Sequence, residues 1–238
     1  MKYIYRSLEF SQQNLGLLTL FIIVNLIPIL SNTFRQTENN VNIIYKLLLI
    51  IAYVSCLLIL PGTYSITWKK FKNEPINFSL LISESKKYFC NLIGVTIVIA
   101  ILGLIIAVVF DFIYKHIFDK NVESAGFHTT SEFGTIASIS FYLVLLIYCY
   151  AVPYLYVKRL NSKRAFLKAP KIFIKYKSES APILVLLLIN LLIILYVPYD
   201  SIESWQITVS VYVILSYINF YIFLVSCQIL DELDISNI

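Results

Sequence analysis

Asp111 stands in a long apolar stretch, with Lys115 four residues on and His116 beside it. A spacing of four puts the carboxylate and the ammonium on one helical face, where they pair. Ionisable groups inside a bilayer are costly and usually functional, so proton or ion handling is the chemistry such a cluster would serve. Its place near the end of the stretch favours a plainer role, an ion pair at the membrane edge. His128 stands alone, and two histidines without a carboxylate cluster make a poor metal site. The four cysteines, Cys56, Cys90, Cys149 and Cys227, lie in or beside apolar runs and form no CxxC pair, as small buried residues do. HExxH, GxSxG, Walker A and paired-glutamate patterns are all missing. The sequence therefore predicts no catalytic residue, no metal site, no cofactor and no enzymatic activity.

Three asparagines are milder but better placed. Asn25, Asn190 and Asn219 interrupt apolar stretches, the last two near their middles. An amide in hydrocarbon seeks an interhelical partner, worth about 0.6–2 kcal/mol. Helix–helix bonding is the expected role, and lining of a substrate path follows if all three face one cavity. Tyr148, Tyr150 and Tyr217 also lie deep, and the asparagines are the candidate partners for their hydroxyls.

The elements that carry these residues follow from composition. Of 238 residues, 59% are hydrophobic and 14% are charged, against about 25% charged in soluble domains. That excludes a cytosolic enzyme, a disulfide scaffold and a disordered chain. A bilayer core about 30 Å thick needs about 20 apolar residues of helix. Six stretches qualify, near 15–30, 41–60, 91–114, 135–157, 181–197 and 207–230. Strict alternation is missing, so a membrane barrel fits poorly. The basic start resembles a leader peptide, but Ile29-Leu30-Ser31-Asn32 offers no small-x-small cleavage site, which predicts a retained helix. With the N-terminus inside, fifteen of the nineteen basic residues fall on one side, while the acidic ones divide seven to seven. By the positive-inside rule both termini are cytoplasmic. Lysine outnumbers arginine 15 to 4, which fits an AT-rich bacterial gene and a bacterial cytoplasmic membrane.

Two inner connections hold most of this charge. The first carries Lys69, Lys70 and Lys72, then a helix start at Asn73-Glu74-Pro75, after which Phe78, Leu81, Ile82, Ser85 and Phe89 share one face. In the second, Phe166, Ala169, Phe173 and Tyr176 line one face and Arg164, Lys168, Lys171 and Lys175 another, with Pro170 expected to kink or break the helix. Both read as amphipathic interfacial helices docking anionic headgroups or a protein partner, including a second copy. No nucleic-acid-binding motif accompanies the lysines. At an offset of 88 residues, Lys70, Asn73, Phe78 and Tyr88 match Lys158, Asn161, Phe166 and Tyr176. The shared order of span, basic segment and span points to a parallel internal repeat. The expected fold is thus all-α, a polytopic membrane bundle of six transmembrane helices with two cytoplasmic amphipathic helices, in one domain over 1–238.

Ala151-Val152-Pro153-Tyr154-Leu155-Tyr156-Val157, the basic helix after it and Ser178–Tyr196 resemble the second half of a broad group of bacterial six-helix membrane proteins, and Leu60-Pro61-Gly62 with its basic segment resembles the first-half junction. That group includes the membrane domain of some glycerophosphodiester phosphodiesterases and stand-alone proteins of unknown function. The resemblance implies the bundle and the bacterial inner membrane. It implies no activity, because the phosphodiesterase barrel is missing. The function expected is a non-enzymatic one: an accessory or channel-forming component of transport or export, or a bilayer modulator. The alternatives are a stand-alone secondary transporter and self-protection against a membrane-active peptide.

Overall fold

The structure, a computed structural model, describes residues 2–25, 43–117, 144–196 and 205–233. Eight helices and no strand occur among them. In chain order they are α1 (Lys2–Gln13), α2 (Leu15–Asn25), α3 (Ile43–Phe71), α4 (Phe78–Ile117), α5 (Val144–Val157), α6 (Ser162–Lys175), α7 (Lys177–Tyr196) and α8 (Trp205–Glu232). The hairpin α3–α4 and the pair α7–α8 are the main packing units, with α1 on α8 and α6 on both α4 and α7.

The expected count of six spans does not hold. Among the described residues three helices are long and apolar enough to cross a membrane, Ile50–Phe71, Phe78–Ile106 and Val209–Glu232. A fourth results only if α6 and α7, bent by 105° at Tyr176, count as one span. Within the described residues α2 and α5 fall in the range of 10–17 residues, short of the roughly 20 a bilayer requires. Residues 26–30 and 135–143 of the first and fourth expected spans lie outside the described residues, as does the loop from 118 to 134.

α8 is the centre of the bundle. Every residue from Phe220 to Leu230 is buried, and 78% of its span is buried against 17% for α4. A helix apolar on all sides belongs in a core. An aromatic cluster locks four neighbours onto it: Tyr64 packs against Phe223 at 4.6 Å and Phe21 at 5.2 Å, and Tyr88 against Tyr156 at 4.8 Å between ring centroids. Such pairs add about 0.5–1.5 kcal/mol each beyond area burial. The outer faces are apolar too. Ile97, Ile101, Leu104, Ile105 and Val108 of α4 are each half exposed or more, as are Val185 and Leu188 of α7. In water such a belt would be an association hazard; against lipid it is at home.

The hairpin α3–α4 closes where glycine permits it. The Gly62 amide donates to Ser85 Oγ at 3.1 Å, and that hydroxyl in turn donates to the Ile59 carbonyl at 3.3 Å. A Cβ at position 62 would collide with Ser85 Oγ and the Leu81 carbonyl. The turn passes through Asn73 at φ 60°, and Asn77 caps α4 by accepting from the Leu80 amide at 2.7 Å. The helix start is therefore four residues later than Asn73. The expected first interfacial helix is also absent as a separate element: α4 runs 40 residues without interruption. No proline or bend divides Phe78 from Asn91, and Leu81, Glu84 and Ser85 are buried against α3 instead of lying on a membrane surface.

The second connection does hold an amphipathic helix. Arg159 turns the chain at φ 52°, and Asn161 caps α6, accepting from the Arg164 amide at 3.0 Å. The first residue of α6 rests on α4, where the Ser162 amide donates to Asn91 Oδ1 at 3.3 Å and a Cβ at Gly94 would lie 3.0 Å from Ser162 Oγ. Ala165, Ala169 and Ile172 form its buried face. The helix continues through Pro170; the break falls at Tyr176. The caps Asn77 and Asn161 correspond at an offset of 84, not 88, and they open different structures, one straight helix and one bent pair. Removing the cap with Asn161→Ala should cost about 1 kcal/mol, seen as a fall of a few degrees in the thermal midpoint of the detergent-solubilised protein; an unchanged midpoint would mean that packing on α4 alone holds the start of α6.

Candidate functional site

A cavity of about 330 Å³ lies where α2, α3, α5, α7 and α8 meet, and Asn25, Asn190 and Asn219 all line it. Their positions follow from the packing: Asn25 ends α2, Asn190 faces inward from α7, and Asn219 looks out of α8 toward it. Asn190 Nδ2 donates to Asn219 Oδ1 at 3.0 Å, joining α7 to α8. The Asn25 amide donates to the Phe21 carbonyl of its own helix at 2.7 Å. Asn190 is 4% exposed, and its Oδ1 has no hydrogen-bond partner. Reversing that amide would strand the nitrogen in its place, so one buried polar atom at this wall stays unsatisfied either way.

The rest of the wall is apolar or weakly polar, with Tyr64, Tyr148, Cys149 and Ser216 among its members, and no acidic or basic residue lines it among the described residues. Tyr148 stands on this wall together with Tyr64. Tyr150 instead shares a hydrogen with Ser180 at 2.6 Å, and Tyr217 with Tyr221 at 2.7 Å. Tyr150 and Tyr217 thus have hydroxyl partners, and neither partner is an asparagine. Sequence reasoning missed these partners because serine and tyrosine next to apolar runs have no periodic signature.

The depth of the amide pair can be read from the helices. Asn190 lies thirteen residues from the start of α7 at Lys177, and Asn219 thirteen from the end of α8 at Glu232. At 1.5 Å per residue both sit about 20 Å in from one common end. That end is the charged one. Lys2 Nζ and Arg6 Nη1 each lie 3.1 Å from Glu232 Oε1, Tyr3 donates to the same carboxylate, and Lys72 pairs with Asp231 at 2.7 Å. Partial burial and the Glu232 carboxylate push the phenol of Tyr3 above its usual value. Further along, Lys69 pairs with Glu84 at 3.0 Å, and Ser65 donates to the same carboxylate. Glu84 is 6% exposed.

The basic residues predicted to dock lipid or partner therefore separate into two groups. Lys69 and Lys72 are held in ion pairs within the bundle, and Lys70 beside them is half-buried. Arg164, Lys168, Lys171 and Lys175 on α6 form no ion pair among the described residues. Asp111, Lys115 and His116 fall in the last turns of α4, and their side chains lie outside the described residues. Among the described residues no three His, Cys, Asp or Glu side chains gather in a way that could hold a metal ion. Of the residues singled out by type, the three asparagines are the ones the fold brings together. Compared with protein-family models, with curated proteins and with solved structures, the chain shows no match to any of them.

Proposed function

We propose that this chain is a non-enzymatic membrane protein that admits a small, uncharged, hydrogen-bonding molecule to the cavity between α2, α3, α5, α7 and α8, as a component of transport across the bilayer. The observation that carries this reading is the convergence of Asn25, Asn190 and Asn219 on one cavity. Amides offer both donors and acceptors, and the unsatisfied Asn190 Oδ1 asks for a donor from whatever enters. A wall without charge disfavours ions, whose desolvation it would leave uncompensated. With the charged end among headgroups, a depth of about 20 Å places the amides near the middle of a hydrocarbon core about 30 Å thick. The excess of lysine and arginine at that end supports reading it as the cytoplasmic one, in keeping with a bacterial inner-membrane protein.

Proteoliposome swelling tests the proposal, with glycerol, xylitol and N-acetylalanine amide as solutes and potassium chloride as the charged comparison. The intact protein should accelerate entry of at least one neutral solute. Changing Asn190 and Asn219 together to leucine should reduce that rate at least tenfold while the circular dichroism stays helical. Rates equal to those of empty vesicles for every solute would overturn the reading. A double variant that loses thermal stability but keeps full swelling would reduce the asparagines to helix–helix bonding, worth about 0.6–2 kcal/mol.

A further inference from the structure

At about 100° per residue, α6 divides into three faces. Ala165, Ala169 and Ile172 point into the bundle and are fully buried. Leu167 and Ile174 share a second face and are 56% and 65% exposed. Arg164, Lys168, Lys171 and Lys175 occupy the third, next to the exposed apolar one, and the helix contains no acidic residue. Between α6 and the start of α5, a groove of about 170 Å³ is lined by Leu146, Ile147, Pro170, Phe173 and Ile174. An apolar groove edged by unneutralised cations is amphipathic in the same sense as a phospholipid.

We propose that this groove and the basic face of α6 bind one anionic phospholipid, its acyl chain along Ile147, Pro170 and Ile174 and its phosphate at Lys171 and Lys175. The contrast with the neighbouring cations gives the site its selectivity. Lys2, Arg6, Lys69 and Lys72 all have carboxylate partners, whereas none of the basic residues of α6 has one among the described residues. A zwitterionic headgroup brings its own ammonium into that field, whereas a headgroup with a single phosphate and no amine does not. The bend of 105° at Tyr176 turns α6 across the direction of α7, which lays the groove along the headgroup boundary if α7 stands upright.

The probe lipids are phosphatidylglycerol and phosphatidylcholine of equal chain length, titrated into the detergent-solubilised full chain and read by native mass spectrometry. One phosphatidylglycerol should be retained at least tenfold more strongly than phosphatidylcholine. The triple variant Lys168→Gln, Lys171→Gln, Lys175→Gln should lose that preference, Ile174→Asp should weaken retention of both lipids, and Lys70→Gln should change nothing. Equal retention of the two lipids, or a triple variant that still prefers phosphatidylglycerol, overturns the proposal. So does normal retention by Ile174→Asp, which would leave only diffuse attraction to the headgroups. Should the triple variant fail to fold, Leu167→Trp with the charges intact serves instead. Brominated phosphatidylglycerol should quench its fluorescence at a lower mole fraction than brominated phosphatidylcholine, and indistinguishable quenching counts against the site.

Discussion

Gly62→Leu should yield no folded protein, and Gly62→Ala should lower stability by about 1–3 kcal/mol, the usual range for forcing extra carbon into a packed contact. The magnitude reflects the atoms a side chain at position 62 would meet. One obstacle is Ser85 Oγ, which a rotamer change could move; the other is the Leu81 carbonyl, which belongs to the backbone of α4 and cannot move unless the whole helix retreats. Retreat would also break the hydrogen bonds that Ser85 makes to the Gly62 amide and the Ile59 carbonyl, each worth about 1 kcal/mol. Thermal unfolding in detergent, followed by loss of the monodisperse peak, measures the effect. Combining Gly62→Ala with Ser85→Gly tells the two obstacles apart: it should restore only part of the loss, because the carbonyl remains. Full stability in Gly62→Ala alone would show that the helices cross with room to spare.

Glu84→Ala is the second large effect. Its carboxylate is nearly sealed from solvent, accepts from Ser65 and pairs with Lys69, whose side chain is 21% exposed. Truncating one member of a buried pair costs about 3–5 kcal/mol because the other charge is left without compensation. The partial exposure of Lys69 lets water take some of that burden, so about 2–3 kcal/mol is expected here. The informative partner variant is Lys69→Met. Alone it leaves the carboxylate with Ser65 and, at 3.9 Å, the more exposed Lys87, and should be somewhat less damaging; together with Glu84→Leu it should return most of the stability, since well-packed apolar residues commonly replace a buried pair without loss. If the double variant were no better than the singles, the pair would be doing more than holding α3 to α4.

The parts of this fold that were legible in the sequence are those written as uninterrupted apolar length. The cores of α3, α4 and α8 could be read directly, because a helix in lipid needs nothing else. The asparagines stood out for the same reason: an amide among leucines is conspicuous in one dimension. What could not be read is whether an apolar run stands as a single straight helix. Residues 15–25 and 144–157 have the composition of spans, but within the described residues they make helices of only 10–17 residues, and the basic segment after Asn77 has the composition of a surface helix although Glu84 and Ser85 are engaged by α3. Pro170 misled in the opposite direction. Proline removes one hydrogen bond and crowds the preceding turn, but the cap at Asn161 and the packing of Ala165, Ala169 and Ile172 carry α6 through it. The chain bends six residues later, at a tyrosine with no breaker signature of its own. The convergence of the three asparagines is likewise a tertiary fact: α2, α7 and α8 each carry one, and only their packing brings the three to one cavity.

The carboxylate of Glu232 also sets an order of events during synthesis. Its partners Lys2, Tyr3 and Arg6 are separated from it by 226 to 230 residues, and Gln228 donates to Ser7 at 2.8 Å in the same contact. At roughly 5–20 residues per second, the ribosome delivers the end of α8 on the order of 10–45 s after α1 has emerged. Throughout that interval the polar face of α1 lacks its partners on α8, and Phe10 has Phe71 of α3 as its aromatic contact. Helix α8 is thus the one that secures α1, and a nascent chain stalled before Tyr221 leaves α1 with its Phe10–Phe71 contact to α3 but without its bonds to Tyr221, Gln228 and Glu232.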